Sequence, residues 1–148
     1  LDLDTPFDAV INVFTSFGYF DHLSNRQVIE QVAKVLRKEG CFVLDYLNPD
    51  HVKDNLVQRE EGEYFELNLH YKIHRWIENQ IVYKQITLQD QKGNNHTFIE
   101  EVQLYDQKWF ESAFTEAGFK RINTFGNYEG DPFKKNSARQ IHLVQKIR

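Results

Sequence analysis

At 148 residues the chain is long enough for one domain, and a chain of that size buries roughly 68–70% of its unfolded surface around a single core. A composition of 41% hydrophobic, 14% aromatic and 27% charged residues, with three prolines and seven glycines, excludes a disordered or collagen-like polymer. Eighteen basic against twenty-two acidic residues give a net charge of −4, so no global positive field exists to hold a nucleic acid or an anionic membrane surface, and neither is expected as a partner.

Phe7 to Phe14 is apolar at nearly every position, the pattern of a parallel strand covered on both faces. Four aromatics, Phe14, Phe17, Tyr19 and Phe20, crowd the loop that follows. Ser24 and Gln27 read as a capping box, and Val28, Ile29, Val32, Ala33 and Leu36 form a helical stripe that Gly40 is expected to end. Cys41 to Leu47 is again apolar on both faces and stops at Asn48-Pro49, completing a βαβ unit over about 7–47. A polar helix is expected from Asp50 to about Glu60.

From Tyr64 to Ile77 the sequence alternates, with Phe65, Leu67, Leu69, Tyr71 and Ile73 on one face. With segments near Ile81–Gln89 and His96–Leu104 it predicts an antiparallel meander over about 64–104. Asp106 then caps a helix carrying Trp109, Phe110, Ala113, Phe114 and Ala117 on one stripe. Two closing strands, Lys120–Phe125 and Ala138–Ile147, complete the chain.

Little in these elements carries chemistry by itself. His70 and His74 have the spacing of a helical zinc pair, but on a strand four residues span about 13 Å, too far for one metal, so no metal site is expected. Glu60, Glu61, Glu63 and Glu66 read as a solvated charged face. Cys41 reads as core packing; as a lone cysteine it forms no internal disulfide, which fits a cytoplasmic protein. No apolar run approaches the ~20 residues that span a bilayer, and no phosphate-cradling glycine loop or nucleophile elbow is present. The chain holds no methionine and enters a strand almost at once, so a further N-terminal segment is expected. The sharpest feature is the aromatic loop, since an open parallel sheet binds ligands beyond the carboxyl ends of its strands.

The run from Phe7 to Phe20 resembles the fourth-strand motif F-D-x-V-x-x-x-F-x-S-x-G-Y/H of small-molecule class I S-adenosylmethionine-dependent methyltransferases. Leu36 to Asp45 is similar to that family's fifth strand, Leu104 to Phe119 to its helix ending in A-G-F, and Ser137 to Lys146 to its last strand. The resemblance implies an α/β fold: the C-terminal half of a doubly wound, Rossmann-like methyltransferase sheet with an inserted antiparallel β-meander. It also implies a cytoplasmic transferase that moves a methyl group from S-adenosylmethionine to a small-molecule acceptor. The family's glycine-rich loop and ribose-binding acid are not in this sequence. By position in the motif, Asn12, Val13 and Phe14 would lie against the cofactor. Phe17, Tyr19, Phe20, Tyr46, Asn48, Tyr128 and Arg139 would line the acceptor pocket, and Tyr19 or His22 would serve as base. Against this stands a non-catalytic remnant or ligand-binding α/β domain, whose open opening strand predicts a homodimer.

Overall fold

The computed structural model describes residues 6–147. Among them are two four-stranded sheets. The first is ordered β1(Phe7–Asn12), β2(Leu36–Leu47), β8(Arg139–Lys146), β7(Phe119–Phe125), and the second β3(Arg59–Tyr64), β4(Leu69–Glu78), β5(Ile81–Gln89), β6(Asn95–Gln103). Helices α1(His22–Val35), α2(Pro49–Asn55) and α3(Gln107–Glu116) connect them. The first sheet is mixed: β1 runs parallel to β2, with Asn12 beside Leu44, while β8 lies antiparallel to both β2 and β7. This mixed α/β architecture is the partial Rossmann-like arrangement that the motif order implies.

Several boundaries differ from the sequence pattern, each for a local reason. The cap of α1 is Asp21, whose carboxylate accepts the Ser24 amide at 2.8 Å, so Ser24 is the third residue of the turn and not its cap. The helix stops at Val35, and Leu36, the last residue of the apolar stripe, opens β2 and pairs with Phe7. Gly40 therefore caps nothing. It lies within β2 where β1 passes close, and a Cβ there would sit 3.1 Å from the Asp8 carbonyl oxygen.

The polar helix ends at Asn55, and the acidic stretch beyond it forms β3, an edge strand tied to β4 by Arg75 and Glu60 at 2.9 Å. The meander thus has four strands, not three. Its alternating run begins only at Leu69, because Phe65–Leu67 makes a 3-10 turn closed by left-handed Asn68, leaving Phe65 and Leu67 exposed. Cys41 is half-buried and not a core residue. Neither is β1 covered on both faces: Phe7 and Ile11 are exposed, and its outer edge has no neighbour among the described residues.

The core lies between the first sheet and its helices and is largely aromatic. Phe42, Phe114 and Phe119 on one side and Phe17, Tyr46, Tyr105, Trp109 and Phe110 on the other form one continuous cluster, joined where Phe110 stacks on Phe114. Edge-to-face contacts such as Tyr46 on Phe110, 5.1 Å between centroids, add to the area buried. His142 sits beneath Phe110 and Phe114. Gln140 gives both amide protons to the Leu47 and Tyr105 carbonyls, so its Oε1 must accept from His142 Nε2 at 3.2 Å. Among the described residues no helix is long and apolar enough to cross a membrane.

Burial pushes the His142 imidazole from its ordinary 6.5 down to about 3, so it is folded in the neutral form. Below pH 6.5 the unfolded chain binds a proton that the folded one refuses. Stability from this group is therefore complete above about pH 6.5 and is lost as the pH falls towards 3, by roughly a few kcal/mol. Urea midpoints measured across that window are expected to fall with pH, and to fall less in His142→Gln.

Candidate functional site

The loop leaving β1 lies on the carboxyl rim of the parallel pair, as its sequence position requires. Phe14 and Thr15 both take left-handed backbone angles, φ 60° and 56°. For consecutive residues that are not glycine, one of them β-branched, this costs on the order of 1–3 kcal/mol each unless the surroundings enforce it. The enforcement is visible. Asp45, near the end of β2 with its side chain 1% exposed, accepts the Phe14 amide at 2.9 Å, the Tyr128 hydroxyl at 2.6 Å and Arg139 Nε at 2.7 Å. Arg139, the first residue of β8, extends Nη2 to Thr15 Oγ1 at 2.7 Å. Ser16 Oγ lies 2.9 Å from both Asn12 Oδ1 and the Val13 carbonyl, closing the bend upon the strand end.

Beyond the bend the loop is pinned twice. Phe17 is buried among Tyr46, Tyr105, Trp109 and Phe110. Gly18, at φ 95°, passes so close to Tyr46 that a Cβ would lie 2.5 Å from its hydroxyl. The Gly18 carbonyl accepts the Gln103 amide at 2.9 Å, and the Tyr46 hydroxyl donates to the Gln103 carbonyl. One peptide segment of β6 thereby fastens the meander to both the loop and the core.

The sequence-expected residues therefore divide into three groups. Asn12, Val13 and Phe14 lie at the end of β1, and Tyr19, Phe20 and His22 follow between it and the start of α1, with the Phe14, Tyr19, Phe20 and His22 side chains exposed. Phe17, Tyr46 and Asn48 are buried. Asn48 caps α2 and donates to the carbonyls of Lys135 and Ser137 at 2.9 and 2.6 Å, anchoring the segment that carries Tyr128. Tyr128 and Arg139 reach the rim but direct their polar atoms at Asp45 and Thr15. Asp45 escaped the sequence reading, although a lone carboxylate in an otherwise apolar strand was a signal.

The two candidate bases have different surroundings. Asn25 Nδ2 donates to the Phe20 carbonyl at 2.7 Å and to the Tyr105 hydroxyl at 3.0 Å, which fixes its amide orientation. The Tyr105 hydroxyl lies in turn 3.0 Å from His22 Nδ1, so that ring nitrogen is already engaged. For Tyr19, partial burial and, second, the negative charge of Glu100 push the phenol above its ordinary 10. Tyr19 thus stands beside the meander face that carries Glu100 and its partner Lys84, 3.3 Å apart. No group of three or more metal-ligating side chains occurs among the described residues, and His70 faces Glu63 at 3.1 Å instead.

Gly18→Ala combines a left-handed backbone with a clash against Tyr46, and is expected to cost about 2–4 kcal/mol. Chemical denaturation checks the value.

No protein-family profile matches the chain, and neither does any curated protein. Solved structures do. An S-adenosylmethionine-dependent methyltransferase from Clostridium acetobutylicum ATCC 824 superposes with a TM-score of 0.82 at 16% identity, over 100% of this chain and 61% of that one. The CcbJ methyltransferase from Streptomyces caelestis gives 0.79 at 16% identity over 100% and 61%. The sugar N-methyltransferase KedS8 from Streptoalloteichus sp ATCC 53650 gives 0.76 at 16% identity over 100% and 59%. The chain spans about 60% of the length of these proteins. It has part of the Rossmann-like fold of S-adenosylmethionine-dependent methyltransferases.

Proposed function

We propose that the chain supplies the acceptor side of an S-adenosylmethionine-dependent methyltransferase acting on a small molecule, with the glycine-rich side of the cofactor cleft contributed by polypeptide upstream of Phe7. The observation that carries this reading is the left-handed pair Phe14-Thr15, held by Asp45 and Arg139 at the carboxyl rim, where an open α/β sheet receives its ligand. The donor brings an electrophilic methyl group on a sulfonium. What remains for this chain is to hold the two reactants in line and exclude water. Asn12, Val13 and Phe14 form the cofactor wall, and Tyr19 and Phe20 the acceptor wall.

An amine is the acceptor that fits this wall best. Tyr19, its phenol pushed above its ordinary value by partial burial and the charge of Glu100, keeps its proton, and His22 Nδ1 is engaged with the Tyr105 hydroxyl, so neither is placed to deprotonate an acceptor. A neutral amine needs no such step: its lone pair forms the new N–C bond while the S–C bond pair returns to sulfur, and the ammonium sheds its proton to water. One structural neighbour is described as a sugar N-methyltransferase and another as an amino pentose methyltransferase, which supports this reading. As a transferase of small molecules the protein would work in the cytoplasm.

A second reading is favoured by the outer edge of β1, which has no neighbour among the described residues. Beside it lies an apolar groove of about 740 Å³ between β1 and α1, lined by Phe7, Val10, Phe20, Val28 and Val32 among others. An unpaired apolar edge invites a strand from another copy. The isolated chain would then be a homodimer without catalysis. Gel filtration separates these cases: a clean monomer removes the second reading.

Calorimetric titration with S-adenosylmethionine tests the first reading. The polypeptide that includes the upstream glycine-rich segment is expected to bind, and residues 1–148 alone weakly or not at all. Absence of binding by the longer polypeptide would contradict the assignment, and micromolar binding by the isolated chain would contradict the division of the cleft between two halves.

A further inference from the structure

We infer that Asp45 is a positioning residue, the hub that sets the shape of the cofactor-facing ledge and couples it to the Tyr128 loop; the functional half of this inference rests on the reading proposed above. Its side chain is only 1% exposed, so a ligand on the rim cannot touch it. What it holds, however, comes from three separate parts of the chain: the Phe14 amide after β1, the Tyr128 hydroxyl in the 126–138 loop, and the Arg139 guanidinium at the start of β8. Oδ2 receives the first two and Oδ1 the third, so both oxygens are engaged.

The arrangement changes the meaning of Tyr128 and Arg139. Tyr128 spends its hydroxyl on Asp45 and Arg139 divides its guanidinium between Asp45 and Thr15, so neither has these polar atoms free for an acceptor. Both act through the ledge. The Tyr128 ring is otherwise exposed, 62% of its surface, so its hydroxyl bond is the means by which the Asn127–Asp131 turn feels the state of Phe14. Anything that draws Tyr128 away removes one of the two donors on Oδ2. It leaves the Phe14 amide and the left-handed bend with a less constrained acceptor.

Amide hydrogen exchange on the isolated chain reads the ledge without any cofactor. Asp45→Asn is expected to speed exchange at Phe14 at least tenfold. Tyr128→Phe, which deletes one hydroxyl from an exposed ring and keeps the core intact, is expected to speed it several-fold although residue 128 does not touch Phe14. If Phe14 exchange is unchanged in Tyr128→Phe, the coupling is overturned. In the longer polypeptide, Tyr128→Phe is expected to weaken S-adenosylmethionine binding by a similar several-fold factor. A loosened ledge with unchanged cofactor affinity would overturn the positioning role. Failure of the unsubstituted longer polypeptide to bind the cofactor would instead count against the proposed function and leave the Asp45 coupling standing on the exchange data.

Discussion

The bond between Asp45 and Arg139 is the constraint on which the rim depends. A buried carboxylate is costly unless charge and hydrogen bonds compensate it, and here a guanidinium, a phenol and a main-chain amide do so together. Removing one partner would leave the others around an uncompensated charge. The pair also fixes where three segments meet, which is why two consecutive non-glycine residues persist in the left-handed region. A site built this way is shaped before any ligand arrives, and preorganisation is what an in-line displacement asks of its enzyme.

A second constraint comes from the aromatic core. Phe17 inserts into it from the same loop whose other rings stay outside, so burial of one ring sets the presentation of the rest. The Gln103 peptide, shared between Gly18 and Tyr46, then places the meander against the loop. The meander meets the core where Val102 of β6 is buried and Val82 of β5 packs against it, and the charge of Glu100 is felt at Tyr19.

Much of this was legible in the sequence. The both-face apolarity of Phe7–Phe14 and Cys41–Leu47 marked two adjacent parallel strands, and the aromatic loop between the first of them and α1 does lie at their carboxyl rim. Asp106 was recognisable as a cap because its side chain competes for the Trp109 amide, 2.9 Å away. The errors have physical causes. Leu36 continues the i, i+4 stripe of α1, yet pairing with Phe7 draws it into β2. Arg59–Tyr64 is too polar to read as a strand, and only its ladder with β4 makes it one. Backbone angles at Phe14 and Thr15 leave no trace in residue type, since the force that imposes them comes from residues 45 and 139. The exposed face of β1 reflects the absence of a neighbour beside it among the described residues, whereas its composition is that of a strand covered on both sides.

The central claim is that the ledge from Asn12 to Phe14 is one wall of a cleft for the methyl donor. Amide chemical-shift mapping of the polypeptide that includes the upstream segment, titrated with S-adenosylhomocysteine, tests it most directly. The largest shifts on this chain are expected at Asn12, Val13 and Phe14, with the β3–β4 hairpin silent. Saturable shifts confined to the meander, with those three amides unmoved, would contradict it.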